Sequence, residues 1–312
     1  MKVVIIGYFT EDSRKRIVPE FPDDWTIDIA YPEEAVKLME DADIVIPEHI
    51  MIDSAFLDKA PKLKLVQTGA GFDNVDIAEC TRRGVWAANA GGVNAVAVAE
   101  HVLAFILAWY KNLPFLDNFM KNGEDEKHLY YNGSELENKT IGILGVGAIG
   151  KNVARYCNAL NMRVLGHDIR PVETKEKIEM VEIETLYRES DILTIHIFLN
   201  DKTRQMINAK VFKSMKKSAI LINTARGPIV HEEDLIAALE NGDLAGACLD
   251  VFTVEPLAVG SKLRSLKNVL LTPHTAGMPD GLKFHKTRYQ FFLRNIQLVL
   301  SGKAPMSALN KV

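Results

Sequence analysis

Short apolar runs alternate with helix-spaced segments along nearly the whole chain, and the alternation is laid out twice. In the first series the runs VVIIGYF (3–9), TIDIA (26–30), DIVIPE (43–48), LKLVQTG (63–69) and VWAANA (85–90) predict β-strands. Between them PEEAVKLME, SAFLDKAP and AECTRRG carry apolar residues at helical spacing. Runs that are apolar throughout, rather than alternating with polar residues, suit strands buried on both faces of a parallel sheet. A long helix is predicted from about Val96 to Asn112. The polar stretch KNGEDEKHLYYNGSELENK then reads as a connection between domains.

The second series begins at residue 140. Six runs, GILGV, MRVLGHD, ILTIHIF, AILINTA, AGACLDVF and NVLLTPH, are separated by helical segments such as NVARYCNAL, KVFKSM and EEDLIAALENG. Six strands with intervening helices are what a doubly wound sheet requires. A last helix is predicted from about Gly281 to Leu300, after which the extended tail APMSALNKV suggests a return to the first domain. The expected fold class is α/β, with two Rossmann-like, doubly wound parallel-sheet domains. The second is inserted into the first, so that residues 1–99 and 282–312 form one domain and 100–281 the other.

The start of the second series carries the most specific signal. In TIGILGVGAIG, Gly145, Gly147 and Gly150 form the G-x-G-x-x-G pattern directly after a strand and at the opening of a helix. Gly145 permits a tight turn, Gly147 lets the backbone approach a pyrophosphate, and Gly150 lets the helix pack on the sheet with its positive end toward the phosphates. After seventeen intervening residues beyond Gly150, Asp168 ends the second strand, where a carboxylate can accept the ribose hydroxyls. Strand, glycine triplet, helix, strand and acid in that order predict dinucleotide binding.

Composition narrows the partners. The 312 residues, 47% of them hydrophobic, are enough for two cores. With 37 basic and 41 acidic residues the formal charge is −4, so no overall field draws the chain to nucleic acid or an anionic membrane. The N-terminal run MKVVIIGYF lacks the cleavage pattern of a secretory leader and reads as a strand. VLAFILAWY (102–110) is about half the length needed to cross a bilayer. Cys80, Cys157 and Cys248 are odd in number and show no C-x-x-C spacing, which fits small core residues in a reducing cytoplasm.

Three polar side chains stand where predicted strands of the second series give out: Arg226 in LINTARGPIV, Glu255 in LDVFTVEP and His274 in LLTPHTAG. Catalytic groups of open α/β sheets gather at such strand ends. With TGAGFDNVDI (68–77), VAEH (98–101), GSELENKTIGILGVGAIG (133–150), HDIRP (167–171), NTARG (223–227), DVFTVEP (250–256) and PHTAG (273–277), the chain resembles the D-isomer-specific 2-hydroxyacid dehydrogenases over almost its whole length.

That resemblance implies NAD-dependent hydride transfer between a small 2-keto acid and its D-2-hydroxy acid. Arg226 would bind the substrate carboxylate and polarise the keto oxygen, as its planar fork suits. His274 would be the general acid in reduction and the base in oxidation, with Glu255 fixing its tautomer and favouring the imidazolium. For the cofactor the resemblance implies Gly145, Gly147, Ala148, Ile149 and Gly150 at the pyrophosphate, Asp168 at the ribose, Thr224 and Ala225 near the nicotinamide, Asp250 at its carboxamide, and Gly277. Asp168 favours NAD over NADP because a carboxylate repels a 2′-phosphate, an effect that Arg170 partly offsets. The backbone amides of Ala70 and Gly71 are the implied receivers of the substrate carboxylate.

Several positions depart from the family pattern. Ala148 stands where arginine is common, which shifts phosphate binding onto backbone amides and the helix dipole. Phe198 replaces a usual proline beside the adenine. Phosphite-oxidising members carry lysine at the Ala70 position and formate-oxidising members glutamine at the Glu255 position, so both activities are disfavoured, although GGVNAVAVAEH resembles the formate group locally. PEHIM (47–51) lacks the Arg/Ser character of phosphoglycerate enzymes, and with no appended regulatory domain expected after residue 312 that substrate is disfavoured as well. A second class of function is an NAD(H)-sensing corepressor-like adaptor, since relatives of that kind keep the same three residues. The apolar helix beginning near Val96 has more hydrophobic surface than one exposed face explains, which predicts a homodimer. His101 is expected to be a hydrogen-bonded packing residue, and His49 to line a cleft mouth.

Overall fold

The computed structural model describes residues 1–48, 50–129, 133–278 and 285–312. The chain divides into two compact units, Met1–Asn94 with Met278–Val312, and Ala95–Gly277. His49, the expected helix start near Gly281 and the expected 281/282 boundary lie outside the described residues.

The first unit is a five-stranded parallel sheet. Its elements are β1 (Lys2–Ile6), α1 (Glu11–Ile17), β2 (Thr26–Ala30), α2 (Pro32–Ala35), β3 (Ile44–Pro47), α3 (Ser54–Leu57), β4 (Leu65–Gln67), α4 (Ile77–Arg82) and β5 (Trp86–Ala88). The strand order is β2-β1-β3-β4-β5. Successive side chains of a strand point to opposite faces, and β1 obeys this while burying both. Val3 and Ile5 enter one core with Ile44 and Ile46, and Val4 and Ile6 enter another with Val45 and Val66. That is why its sequence is apolar without a break. Thr10, Asp53 and Asp76 cap the starts of α1, α3 and α4 through their side-chain oxygens.

The second unit opens with the sixteen-residue helix α5 (Ala95–Tyr110), followed by α6 (Leu113–Lys121). Then come β6 (Thr140–Leu144), α7 (Ala148–Ala159), β7 (Arg163–His167), β8 (Glu179–Met180), α8 (Ile183–Glu189), β9 (Ile192–Ile195), α9 (Ala209–Ser214), β10 (Ile220–Asn223), α10 (Glu232–Glu240), β11 (Gly246–Leu249) and β12 (Val269–Leu271). The seven strands are ordered β12-β11-β10-β9-β6-β7-β8, and every pairing is parallel. Counted from β6 this is the order 3-2-1-4-5-6 of a dinucleotide-binding sheet with a seventh strand added. The strand beyond the six expected is β8, two exposed residues that bury nothing and so leave no hydrophobic trace. Helix α6 also goes beyond the sequence reading, which ended the long helix at Asn112 and began the connection at Lys121.

After Gly277 the chain returns to the first unit with α11 (Lys286–Leu300), whose Tyr289, Phe292 and Ile296 fill the core on the Val3/Ile5 face. Asn295, fully buried, donates to Gln67 Oε1 at 2.7 Å. The tail then covers the sheet edge: Ala308 bridges Ala88 antiparallel, and Asn310 accepts from the Ala87 amide at 2.8 Å. An edge covered by its own chain is closed to further strand pairing.

Candidate active site

The glycine loop stands at the carboxyl end of β6, the strand at which the order of the second unit reverses. Gly145 has φ +95°, and a Cβ there would lie 2.6 Å from the His196 carbonyl oxygen, so both conformation and crowding demand glycine. Gly147 is the N-cap of α7 and faces open space, with nothing within 4 Å of where a Cβ would be. Ala148, Ile149 and Gly150 form the first turn of α7, with Gly150 buried. Asp168 Oδ2 accepts from the Val146 amide at 3.0 Å, which ties the acid after β7 to the glycine loop. Its Oδ1 accepts from the Arg170 amide at 3.0 Å, with the Arg170 Nε at 3.6 Å.

Beyond β10, Asn223 shapes the next turn: its Oδ1 accepts from the Ala225 amide and its Nδ2 donates to the Arg226 carbonyl, both at 3.0 Å. Arg226 Nη1 donates to the Ala225 carbonyl at 2.8 Å. Thr224 Oγ1 is buried without a hydrogen-bond partner. A Cβ on Gly227 would collide with the Phe252 carbonyl, so only glycine allows this turn to lie against the loop after β11. That loop carries Glu255, whose Oε1 accepts from the Phe252 amide at 3.0 Å. Its Oε2 faces His274 Nδ1 at 2.6 Å. Burial opposes ionisation of Glu255, but the His274 hydrogen bond and charge, the Phe252 amide and the Arg226 cation outweigh it and hold the carboxyl below its ordinary value. The structure thus brings Glu255 and His274 into contact and sets Arg226 within electrostatic reach of the pair.

His274 has φ +54°, a left-handed conformation that costs energy for any residue with a side chain. Asp250, 1% exposed, holds the loop in that shape. Its carbonyl accepts from the His274 amide at 2.8 Å, its Oδ1 from Thr272 Oγ1 at 2.6 Å and the Thr275 amide at 2.8 Å, and its Oδ2 from the Ala276 amide at 2.9 Å. Gly277 ends the same loop, half-buried.

Residues 103–276 match the model of the D-isomer specific 2-hydroxyacid dehydrogenase NAD-binding domain. A glyoxylate reductase from Thermofilum pendens is 38% identical over 83% of this chain and 78% of its own. The chain belongs to the D-isomer-specific 2-hydroxyacid dehydrogenases. Among solved structures, a D-lactate dehydrogenase from Aquifex aeolicus complexed with NAD and lactic acid superposes with TM-score 0.86 at 25% identity, covering 99% of both chains. An acyclic imino acid reductase in complex with NADPH and D-Arg gives TM-score 0.86 at 30% identity, covering 99% of this chain and 100% of its own.

As a member of that family the chain is an NAD-dependent oxidoreductase, and its residues fit the cofactor. The open space over Gly147, the helix N-terminus behind it and the partnerless Thr224 hydroxyl are features a bound dinucleotide would complete. Of about four acceptor positions on the Asp250 carboxylate, three are already engaged by the His274 loop. Sequence reasoning expected Asp250 at the carboxamide and did not foresee its bonds to this loop. It also missed Thr272, which is indistinguishable in sequence from any threonine at a strand end.

In the first unit, Gly69, Ala70 and Gly71 follow β4. The Gly69 carbonyl accepts from the Ala90 amide at 2.8 Å and the Ala70 carbonyl from Asn89 Nδ2 at 3.0 Å. In a trans peptide the N–H points opposite to the C=O. Fixing these two carbonyls therefore turns the Ala70 and Gly71 amides the other way, and Asn89 was not among the residues singled out from sequence.

Proposed function

We propose that this dehydrogenase interconverts a small 2-keto acid and its D-2-hydroxy acid, with reduction favoured, and that Arg226, Glu255 and His274 carry the reaction. The observation that bears most weight is the 2.6 Å contact between His274 Nδ1 and Glu255 Oε2, in a pair whose carboxylate also feels the Arg226 cation. A carboxylate at Nδ1 keeps a proton on that nitrogen and stabilises the imidazolium, which leaves Nε2 to deliver its proton to the substrate oxygen. Arg226 orients the substrate carboxylate and polarises the carbonyl, and the Ala70 and Gly71 amides are the proposed receivers of the same carboxylate. Bound NADH supplies the hydride. Gly145, Gly147, Ala148, Ile149, Gly150, Asp168, Thr224, Ala225, Asp250 and Gly277 are the proposed cofactor contacts, and Asp168 supports NAD over NADP.

Glyoxylate heads the substrate panel because relatives such as the Thermofilum pendens protein bear the name glyoxylate reductase. The test is steady-state loss of nicotinamide absorbance with keto acids of graded size, run with NADH and with NADPH. Turnover is expected on at least one acid with NADH preferred, and His274→Ala is expected to lower kcat by about 10² to 10⁴. Normal NADH binding with no turnover on any acid overturns the reading and favours an adaptor role.

Two further proposals concern setting and assembly. Cys80, Cys157 and Cys248 are buried free thiols, which supports a reducing cytoplasm. Among the described residues no single helix is long and apolar enough to cross a membrane. Val96 on α5 and Leu113, Phe115 and Met120 on α6 are exposed, which supports a homodimer through these helices. Light scattering on a size-exclusion column is expected to give twice the 34.8 kDa chain mass, and a monomer mass refutes it.

A further inference from the structure

We propose that His101 and Thr272 form a positioning pair which, through Asp250, holds the 272–276 loop in the shape that presents His274. The proposal rests on the dehydrogenase reading for its catalytic consequence, but its structural content is independent of substrate.

The argument starts from donor counting. The Asp250 carboxylate only accepts hydrogen bonds, so the 2.6 Å contact with Thr272 Oγ1 uses the single proton of that hydroxyl. Thr272 Oγ1 also lies 3.0 Å from His101 Nε2, and having no second proton it must accept there. The ring nitrogen is therefore the donor, and His101 is fixed as the Nε2–H form. Burial, acting against the attraction of Asp250, lowers the His101 pKa and keeps the ring neutral. Its orientation is fixed by an edge-to-face contact with Phe105, centroids 4.6 Å apart at 87°. The result is a one-way chain from the His101 ring through the Thr272 hydroxyl to Asp250 Oδ1.

What the chain acts on is the loop that needs it. His274 sits at φ +54°, a conformation that persists only where surrounding bonds over-determine it. The Thr275 and Ala276 amides donate to the two oxygens of Asp250, so the orientation of that carboxylate sets the course of the backbone on the far side of His274. Thr272 fixes the carboxylate from the near side. His101 in turn removes the freedom of the Thr272 hydroxyl to swing to another acceptor. A histidine on one helix and a threonine after the last strand thereby determine where the imidazole stands, although neither touches it.

The experiment uses the full chain and four variants: Thr272→Val, which keeps shape and deletes the hydroxyl, His101→Ala, His101→Gln, whose amide N–H reaches a similar position, and the Thr272→Val/His101→Ala double. Thr272→Val is expected to lower kcat about tenfold with KM for NADH within twofold of the parent, and the double is expected to be no worse than Thr272→Val alone, because one chain is being broken twice. His101→Gln is expected to keep kcat within about threefold of the parent while His101→Ala does not. Multiplying effects in the double, or a Gln variant as slow as the Ala variant, overturns the proposal. Hydrogen exchange supplies a readout without turnover: the peptide covering 270–278 is expected to exchange about tenfold faster in Thr272→Val, while the peptide covering α7 is unchanged. Unchanged exchange over 270–278, or equal acceleration in both peptides, also overturns it. If the parent reduces no keto acid, the dehydrogenase reading falls alone, and exchange still decides whether the loop is held as described.

Discussion

Gly227→Ala tests how closely the turn carrying Arg226 must lie against the loop carrying Glu255. A Cβ at Gly227 would overlap the carbonyl carbon and oxygen of Phe252, and the obstacle is backbone, which has no rotamer to escape into. Restoring ordinary contact means parting the two segments by roughly 1 Å or more. Overpacking of this kind costs about 1–3 kcal/mol, and the absence of a flexible neighbour puts this site at the upper end, about 3 kcal/mol. For a unit of this size, a loss of that order lowers the melting temperature by about 6–12 °C. A displacement of about 1 Å between groups that act on one substrate costs on the order of 10² in rate. Calorimetry reads the first effect and NADH-coupled kinetics the second. A variant melting within 2 °C of the parent, with kcat/KM within about twofold, would refute the argument, because no relaxed structure leaves both quantities untouched while the collision stands.

Three other expectations follow from charges and burial. Glu255 has its folded pKa held below the 4.5 of the free group, so its contribution to stability is present above that pH and is lost as pH falls through the folded value. The stability gap between the parent and Glu255→Gln should therefore narrow in acid, and melting curves between about pH 7 and pH 3 showing a constant gap would count against the His274 pairing. Burial lowers the His196 pKa to about 3, so between that value and 6.5 the unfolded chain binds a proton that the folded one does not. Folding should weaken as pH falls through 6.5, by up to about 1.4 kcal/mol per unit, and urea titrations of His196→Asn should show a flatter profile than the parent. Glu48 Oε1 lies 3.0 Å from Arg288 Nη2 with both side chains less than one-fifth exposed. Glu48→Ala should cost about 3 kcal/mol by removing the carboxylate that faces a buried cation, and Glu48→Met with Arg288→Met together should cost less; the reverse order in denaturant midpoints would dismiss the pair.

The central strands were readable because both of their faces are buried. β1, β6, β9 and β10 enter cores on two sides, so their sequences are apolar without interruption, and the glycine turn at 145–147 marks which strand starts the second sheet. Where burial is absent the signal fails. β8 has two exposed residues, and α6 begins at Leu113 beside an exposed Phe115 and buries Phe119. Among functional candidates, Arg226, Glu255 and His274 could be singled out because strand ends concentrate chemistry and because the surrounding motifs resemble a known family. The contacts of His101, Thr272 and Asn89 were not legible, since each is a bond between residues remote in sequence: 101 with 272, and 89 with 70. Long-range hydrogen bonds leave no periodic imprint.

Helix α11 lends Tyr289, Phe292 and Ile296 to a core otherwise built from the first ninety residues. On the ribosome, the unit spanning Ala95–Gly277 is fully synthesised and able to close while that core still lacks one wall. From Asn94, where the opening segment of the first unit ends, nearly two hundred codons pass before the helix that covers the Val3/Ile5 face of β1 emerges. A nonsense codon just before residue 286 should therefore leave a nascent product whose second unit is sound and whose first aggregates.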